Sequence, residues 1–255
     1  MVARRPFVLV TCEHGGNRVP TRYRPLFAGR HALLASHRGY DPGALNMARE
    51  LAHHFRAPLV YATVTRLLVD LNRSVGHHAL YSDATRGLTR AERERLLVLH
   101  YQPYRERVES LVAEAITAGR RVVHVSSHSF TPVLDGSVRT ADVGLLYDPA
   151  RTGERALSRA WYAALTPAIA PLRVRRNYPY QGRNDGLTLR LRRQHSASRY
   201  VGIELEINQK HITAQQRFPA PLRRAVVESL WHALDGRLDT SVAPHTTAGQ
   251  PRMMP

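Results

Sequence analysis

The chain is short of cysteine, lysine, acidic residues and long apolar runs, and each shortage excludes something. The single Cys12 can form no internal disulfide and no thiolate zinc cluster, so any bound metal must be held by histidine and carboxylate. No apolar run approaches the ~18–20 residues that span a bilayer, which predicts no membrane partner. The opening Met-Val-Ala-Arg-Arg-Pro leads into a strand-like segment without the apolar core or cleavage site of a signal peptide, so a cytoplasmic protein is expected. Acidic residues number 20 against 37 basic ones, a formal charge of +17. Such a charge points first to nucleic acid. Yet all but one of the basic residues are arginine, Lys210 being the exception, a bias that GC-rich coding produces by itself. The arginines are scattered rather than blocked. Neither a zinc-finger spacing nor a basic-aromatic RNA-recognition signature accompanies them. Charge alone licenses only non-specific attraction, so no specific nucleic-acid partner is expected.

What is present suits one large α/β domain. The 255 residues are 43% hydrophobic, enough for a sizeable core. Residues 6–12 are a continuous apolar run fitting a strand buried on both faces. Leu45, Ala48, Leu51, Ala52 and Phe55 recur at helical spacing, with Pro42 suiting a first turn. Residues 58–62 and 67–71 read as strands, and 74–87 as a His-rich loop. Thr89 and Glu92 form a capping-box pattern, opening a long helix interrupted near Pro103 and ended by Gly119. Residues 121–126 and 142–147 read as buried strands, and 153–165 as a helix stopped by Pro167. Residues 171–186 read as a substrate-facing loop, 187–193 as a short helix, 200–207 as a strand and 220–234 as the last helix. One catalytic domain over 1–238 is expected, with a disordered tail at 239–255. Alternating strands and helices predict a mixed or parallel sheet with helices on both faces, and ligands then bind at the carboxyl ends of the strands.

Three of those strand ends carry unusual groups. The first reads Glu13-His14-Gly15-Gly16-Asn17, the third apolar strand Ser126-Ser127-His128-Ser129, and the last Glu204-Leu205-Glu206. Histidines on neighbouring strands can converge, and neutral imidazole is the commonest nitrogen ligand of zinc. A catalytic zinc takes about three protein ligands and leaves a position for water. His14 and His128 supply two, and Asp41 is the preferred third. Asp41 reads equally as a helix N-cap, and each histidine as an ordinary loop residue in a chain with 14 of them. Glu204 and Glu206 lie two apart and share one face of the strand. That is costly unless compensated by a metal, arginines or a catalytic role; the plainer reading is an exposed edge strand. Arg73, after Asp70-Leu71-Asn72, can clamp a substrate carboxylate in bidentate fashion, or is simply a surface arginine. Residues 181–186 form a turn by composition, and its polar side chains can meet substrate.

In order, Glu13-His14-Gly15-Gly16-Asn17-x-x-Pro20, Asp41-x-Gly43-Ala44, Val69-Asp70-Leu71-Asn72-Arg73, His100-Tyr101-x-x-Tyr104, Ser127-His128-Ser129, Asn184-Asp185-Gly186 and Glu204-Leu205-Glu206-Ile207-x-Gln209 resemble the N-formylglutamate amidohydrolase family. The resemblance covers residues 6–235 and implies kinship with zinc carboxypeptidases and aspartoacylases. It implies a three-layer α/β/α sandwich, phosphorylase/hydrolase-like, with a mixed, mostly parallel central sheet and one zinc ion per chain. It implies His14, Asp41 and His128 as metal ligands and Glu206 as general base. Arg73 would contact a substrate carboxylate, with Asn72, Asn184, Asn17 and Glu204 nearby. Zinc carboxypeptidases carry His-x-x-Glu, whereas the fourth position here is Asn17, so Asn17 or Asp41 stands in the glutamate's place. The first motif is Glu-His-Gly-Gly where histidine-degrading members show Pro-His-Ser-Gly. The implied activity is hydrolysis of the amide of a small N-acyl, or N-formyl, acidic amino acid. The alternatives are a peptidase or amidase acting on a peptide or cell-wall fragment, and a non-catalytic arginine-rich binding module.

Overall fold

The structure, a computed structural model, describes residues 5–235, so the expected tail at 239–255 lies outside the described residues. The strands are β1 (Phe7–Cys12), β2 (Leu59–Tyr61), β3 (Val122–Phe130), β4 (Val133–Leu134), β5 (Ser137–Val138), β6 (Val143–Leu146), β7 (Val174–Arg176) and β8 (Tyr200–Asn208). The α-helices are α1 (His31–Ala35), α2 (Ala44–Phe55), α3 (Arg90–Leu96), α4 (Gln102–Thr117), α5 (Thr152–Ala168), α6 (Leu187–Gln194) and α7 (Ala220–Asp235). Six strands form one sheet in the order β2-β1-β3-β8-β6-β7, with β4 and β5 a separate hairpin. The sheet is parallel from β2 to β8. β6 runs antiparallel to β8, and β7 parallel to β6. This is the mixed, mostly parallel α/β architecture that the alternation implies.

Side-chain alternation divides the core into two faces. Val10, Val123, Val125, Ile203 and Leu205 pack with Met47 and Leu51 of α2, Trp161 and Leu165 of α5, and Val226 and Leu230 of α7. On the other face Leu9, Val122 and Tyr200 pack with Val108, Leu111 and Val112 of α4 and with Leu187 and Leu191 of α6. The sheet is therefore the middle of three layers. α3 begins with the expected capping box: Thr89 Oγ1 accepts from the Glu92 backbone N–H, and the Glu92 carboxylate accepts from that of Thr89. The interruption near Pro103 is a π-helical turn at Leu97–Tyr101.

Four expectations change. Residues 67–71 are turns, not a strand. Leu67 and Leu68 are buried in a small cluster with Tyr23, Phe27 and Leu96. Their backbone bonds go elsewhere: Ser82 Oγ donates to Leu67 O, and Asp70 N donates to Leu80 O. Residues 174–176, expected within a loop, form edge strand β7. β3 continues beyond Ser126 to Phe130, so His128 lies inside a strand. α5 runs one residue past Pro167.

Candidate active site

β1, β3 and β8 are adjacent and parallel, so their carboxyl ends open on one side of the sheet. His14 follows β1. His128 and Glu206 are cross-strand partners in β3 and β8. Asp41 lies in the loop before α2, where its backbone N–H donates to His14 O at 2.8 Å. Its side chain is not a helix cap, because Gly43 occupies that position without a side-chain bond. The Asp41 carboxylate turns instead to the histidines: Oδ2 is 2.8 Å from His128 Nδ1 and 3.4 Å from His14 Nδ1. Donor atoms of His14, Asp41 and His128 all lie within 4.8 Å of one another, and all three residues are buried.

Each histidine presents its other nitrogen to a second carboxylate. His14 Nε2 is 2.8 Å from Asp70 Oδ1, and His128 Nε2 is 3.1 Å from Glu13 Oε2. Arg66 joins the acids, donating to Asp70 Oδ2 from Nε at 3.0 Å and Nη2 at 2.7 Å, and reaching Asp41 Oδ1 at 3.4 Å. Burial pushes the Asp41 and Asp70 carboxyls up, but the histidine and Arg66 contacts outweigh it and hold both well below the usual range. Burial likewise pushes the His128 imidazole down, and hydrogen bonds and charge from Asp41 and Glu13 raise it well above its ordinary value. Glu206 behaves oppositely. Burial pushes its carboxyl up to about 8; His128 opposes that shift, and the Asp41 and Glu204 carboxylates add to it. Its Oε2 is buried with no hydrogen-bond partner, as is His14 Nδ1.

All of these groups except Glu13 line a cavity of about 340 Å³ that also exposes Arg38, Asn72, Arg73, Asn184 and Glu204. Arg73 donates to Asp185 O at 2.9 Å, while its buried Nε has no partner. Asn72 Oδ1 accepts the Leu187 N–H that opens α6, at 2.7 Å. Glu204 accepts from Thr188 Oγ1 of α6. Its strand is central rather than an edge. Asn17 is not brought to the cavity; it is exposed and donates to Leu34 O at 3.1 Å. Gly15 and Gly16 turn the chain after His14 by packing against backbone, since a Cβ would meet Ala62 O at 2.9 Å or Thr63 O at 2.7 Å. Sequence reasoning missed Arg66, the carboxylates behind the histidines, and Tyr104, whose hydroxyl donates to Glu13 Oε1 at 2.8 Å. The i,i+4 spacing of Arg66 and Asp70 was the available signal, hidden by reading that segment as a strand.

A buried histidine–histidine–carboxylate cluster at parallel strand ends, with an unpaired buried glutamate beside it, defines a candidate hydrolase of the mixed α/β class. The comparisons narrow this: residues 7–213 match the family model for N-formylglutamate amidohydrolase, and the chain belongs to that family. It is 33% identical to a gene product of Agrobacterium tumefaciens of known crystal structure, with a TM-score of 0.76 over 92% of each chain. The N-formylglutamate amidohydrolase from Ralstonia eutropha shares the fold at 18% identity and a TM-score of 0.69, over 92% of this chain and 95% of that one. No curated protein matches. Among the described residues no helix is long and apolar enough to cross a membrane.

Proposed function

We propose that this protein is a zinc-dependent amidohydrolase, working in the cytoplasm, that cleaves the amide of a small acidic N-acyl amino acid, N-formyl compounds included. The observation that carries the reading is the buried, unpartnered His14 Nδ1, aimed at an Asp41 oxygen that also meets His128 Nδ1. The donor set suits a zinc ion, which takes nitrogen and carboxylate ligands and leaves a position open. The charge suits it too. Asp41, Asp70 and Glu13 are buried acids held below their ordinary pKa, and of these Arg66 contacts only Asp41 and Asp70. With both imidazoles neutral, as metal ligands must be, one guanidinium against three carboxylates leaves two negative charges for a divalent cation to balance.

In this reading His14, Asp41 and His128 would hold one zinc ion, which supplies Lewis acidity for activating water and for stabilising the developing oxyanion. Glu206, with its free Oε2 in the same cavity, accepts the proton of the attacking water. It then passes that proton to the leaving amine. Burial raises its carboxyl to about 8, which suits the proton-donating half; a cation held by His14, Asp41 and His128 would lower it and favour the ionised form that accepts the proton. Arg73 orients the substrate carboxylate, its partnerless Nε facing a charge-assisted bond, and Asn72, Asn184 and Glu204 complete the wall. The modest volume and the arginines in the wall favour a small anionic substrate over a peptide or cell-wall strand.

Turnover by zinc-loaded protein across a panel of N-acyl amino acids and short peptides tests the proposal. Acidic N-acyl amino acids are expected to be the best substrates. Glu206→Gln should lose about 10²–10⁴-fold in kcat while zinc content stays near one per chain. Cleavage of peptides alone, or full activity in Glu206→Gln, would overturn it.

A further inference from the structure

Glu13 is fully buried and lies outside the cavity lining, so it is placed neither to meet substrate nor to face solvent. Among the described residues no arginine or lysine pairs with it. Its partners are Tyr104 Oη, donating to Oε1 at 2.8 Å, Ser126 Oγ, donating to Oε2 at 2.6 Å, and His128 Nε2, 3.1 Å from Oε2. With its proton given to Glu13, Ser126 Oγ also accepts from His128 Nε2 at 2.9 Å, so it carries the same orienting demand to the ring. A buried carboxylate with no arginine or lysine beside it is costly, and this one, at the end of β1, is held by groups from two other elements, the first turn of α4 and β3.

We propose that Glu13, clamped by Tyr104 and Ser126, is the positioning residue that fixes the tautomer and ring orientation of His128 for metal capture. The inference rests on the reading of His128 as a metal ligand. An imidazole facing a carboxylate at Nε2 keeps its hydrogen there and presents the Nδ1 lone pair on the opposite side. That side is where Asp41 Oδ2 sits, 2.8 Å away, so a cation between the two replaces the second ring proton that holds them together in the metal-free protein. The opposite tautomer would set the Nε2 lone pair against those of Glu13. Asp70 holds His14 in the same way, but its clamp is Arg66 together with the Asn72 backbone N–H, at 2.9 Å from Oδ1. Each histidine thus has its own carboxylate. The Glu13 carboxylate is set by neutral hydroxyls, and so keeps its full charge directed at His128. Such outer partners are worth about 10–100-fold in metal affinity.

The test compares wild type, Glu13→Gln and Tyr104→Phe by zinc affinity in a chelator competition and by ¹⁵N shifts of His128 in metal-free protein, followed to a pH at which the ring is neutral. Glu13→Gln keeps the shape, removes the charge and turns an amide N–H₂ toward one of the existing donors. It should weaken zinc binding about 10–100-fold and populate both His128 tautomers. Tyr104→Phe keeps the carboxylate and loses one clamp, so a loss of less than about 10-fold is expected; it also serves if Glu13→Gln fails to fold. Zinc affinity and His128 shifts unchanged in both variants would overturn the proposal. Wild type that takes up no zinc while Glu13→Gln still shifts the tautomer would remove the metal reading and leave Glu13 as the group that orients His128.

Discussion

The site is built from residues whose chemistry depends on burial, and His124 shows this outside the reacting groups. It lies in β3 two residues before Ser126, fully buried, with Nε2 2.8 Å from Thr11 Oγ1 and Nδ1 2.7 Å from Tyr200 Oη. Burial pushes its imidazole down to about 4, with the Glu13 charge opposing that shift. Between that value and the ordinary 6.5 the unfolded chain binds more protons at this position than the folded one. Stability should therefore rise with pH across the window and fall, by roughly 3 kcal/mol, as pH drops from 6.5 towards 4. His124→Gln, which retains bonding capacity but cannot titrate, should flatten the dependence of unfolding free energy on pH over that interval. An unchanged slope would show that His124 titrates in the folded protein as it does in the unfolded chain. The residue scale is also where the sequence was least legible. Arg66 has no distinguishing mark in a chain with so many arginines; only its position beside Asp70 and Asp41 gives it a role.

Among the elements, legibility followed hydrophobic period. β1 was readable as a continuous apolar run and α2 because its core-facing residues repeat near 3.6, and the capping box marked the start of α3 directly. The end of β3 was not. Ser126, His128 and their neighbours point polar groups into the protein, so an apolar pattern stops at 126 just where the candidate site begins. The turns at 67–71 misled for the converse reason, because their leucines are buried without belonging to a strand. The loop over Glu206 was legible as a substrate-facing loop with a polar turn at 181–186, but its packing depends on two glycines. A Cβ at Gly144 would meet Tyr178 O at 2.0 Å, and one at Gly182 would meet Tyr147 N at 2.1 Å. Gly144 pairs with Glu206 across β6 and β8, so this close approach helps to bury the carboxylate. Gly144→Ala should displace the loop, cost about 1–3 kcal/mol of stability by denaturant unfolding, and lower kcat/KM at least tenfold. Wild-type kinetics in that variant would show that the loop contact is dispensable.

For the whole molecule, order along the chain and order in space converge. The motifs from 13–17, 41–44, 69–73, 100–104, 127–129, 184–186 and 204–209 are spread over nearly two hundred residues, and the parallel order β1-β3-β8 gathers three of them, 13–17, 127–129 and 204–209, at the carboxyl ends of adjacent strands. Fold class and family were legible because that ordered set is specific even where each member is weak. The hydrogen-bonded carboxylates behind the histidines were not, because only folding reveals which acid faces which ring. The central claim is that His14, Asp41 and His128 form a single metal centre beside Glu206. Anomalous diffraction at the zinc edge, from crystals of zinc-supplemented protein, tests it most directly. One peak per chain is expected, about 2.0–2.2 Å from His14 Nδ1, His128 Nδ1 and an Asp41 oxygen. A map without density there, or with zinc bound only elsewhere, would contradict the account.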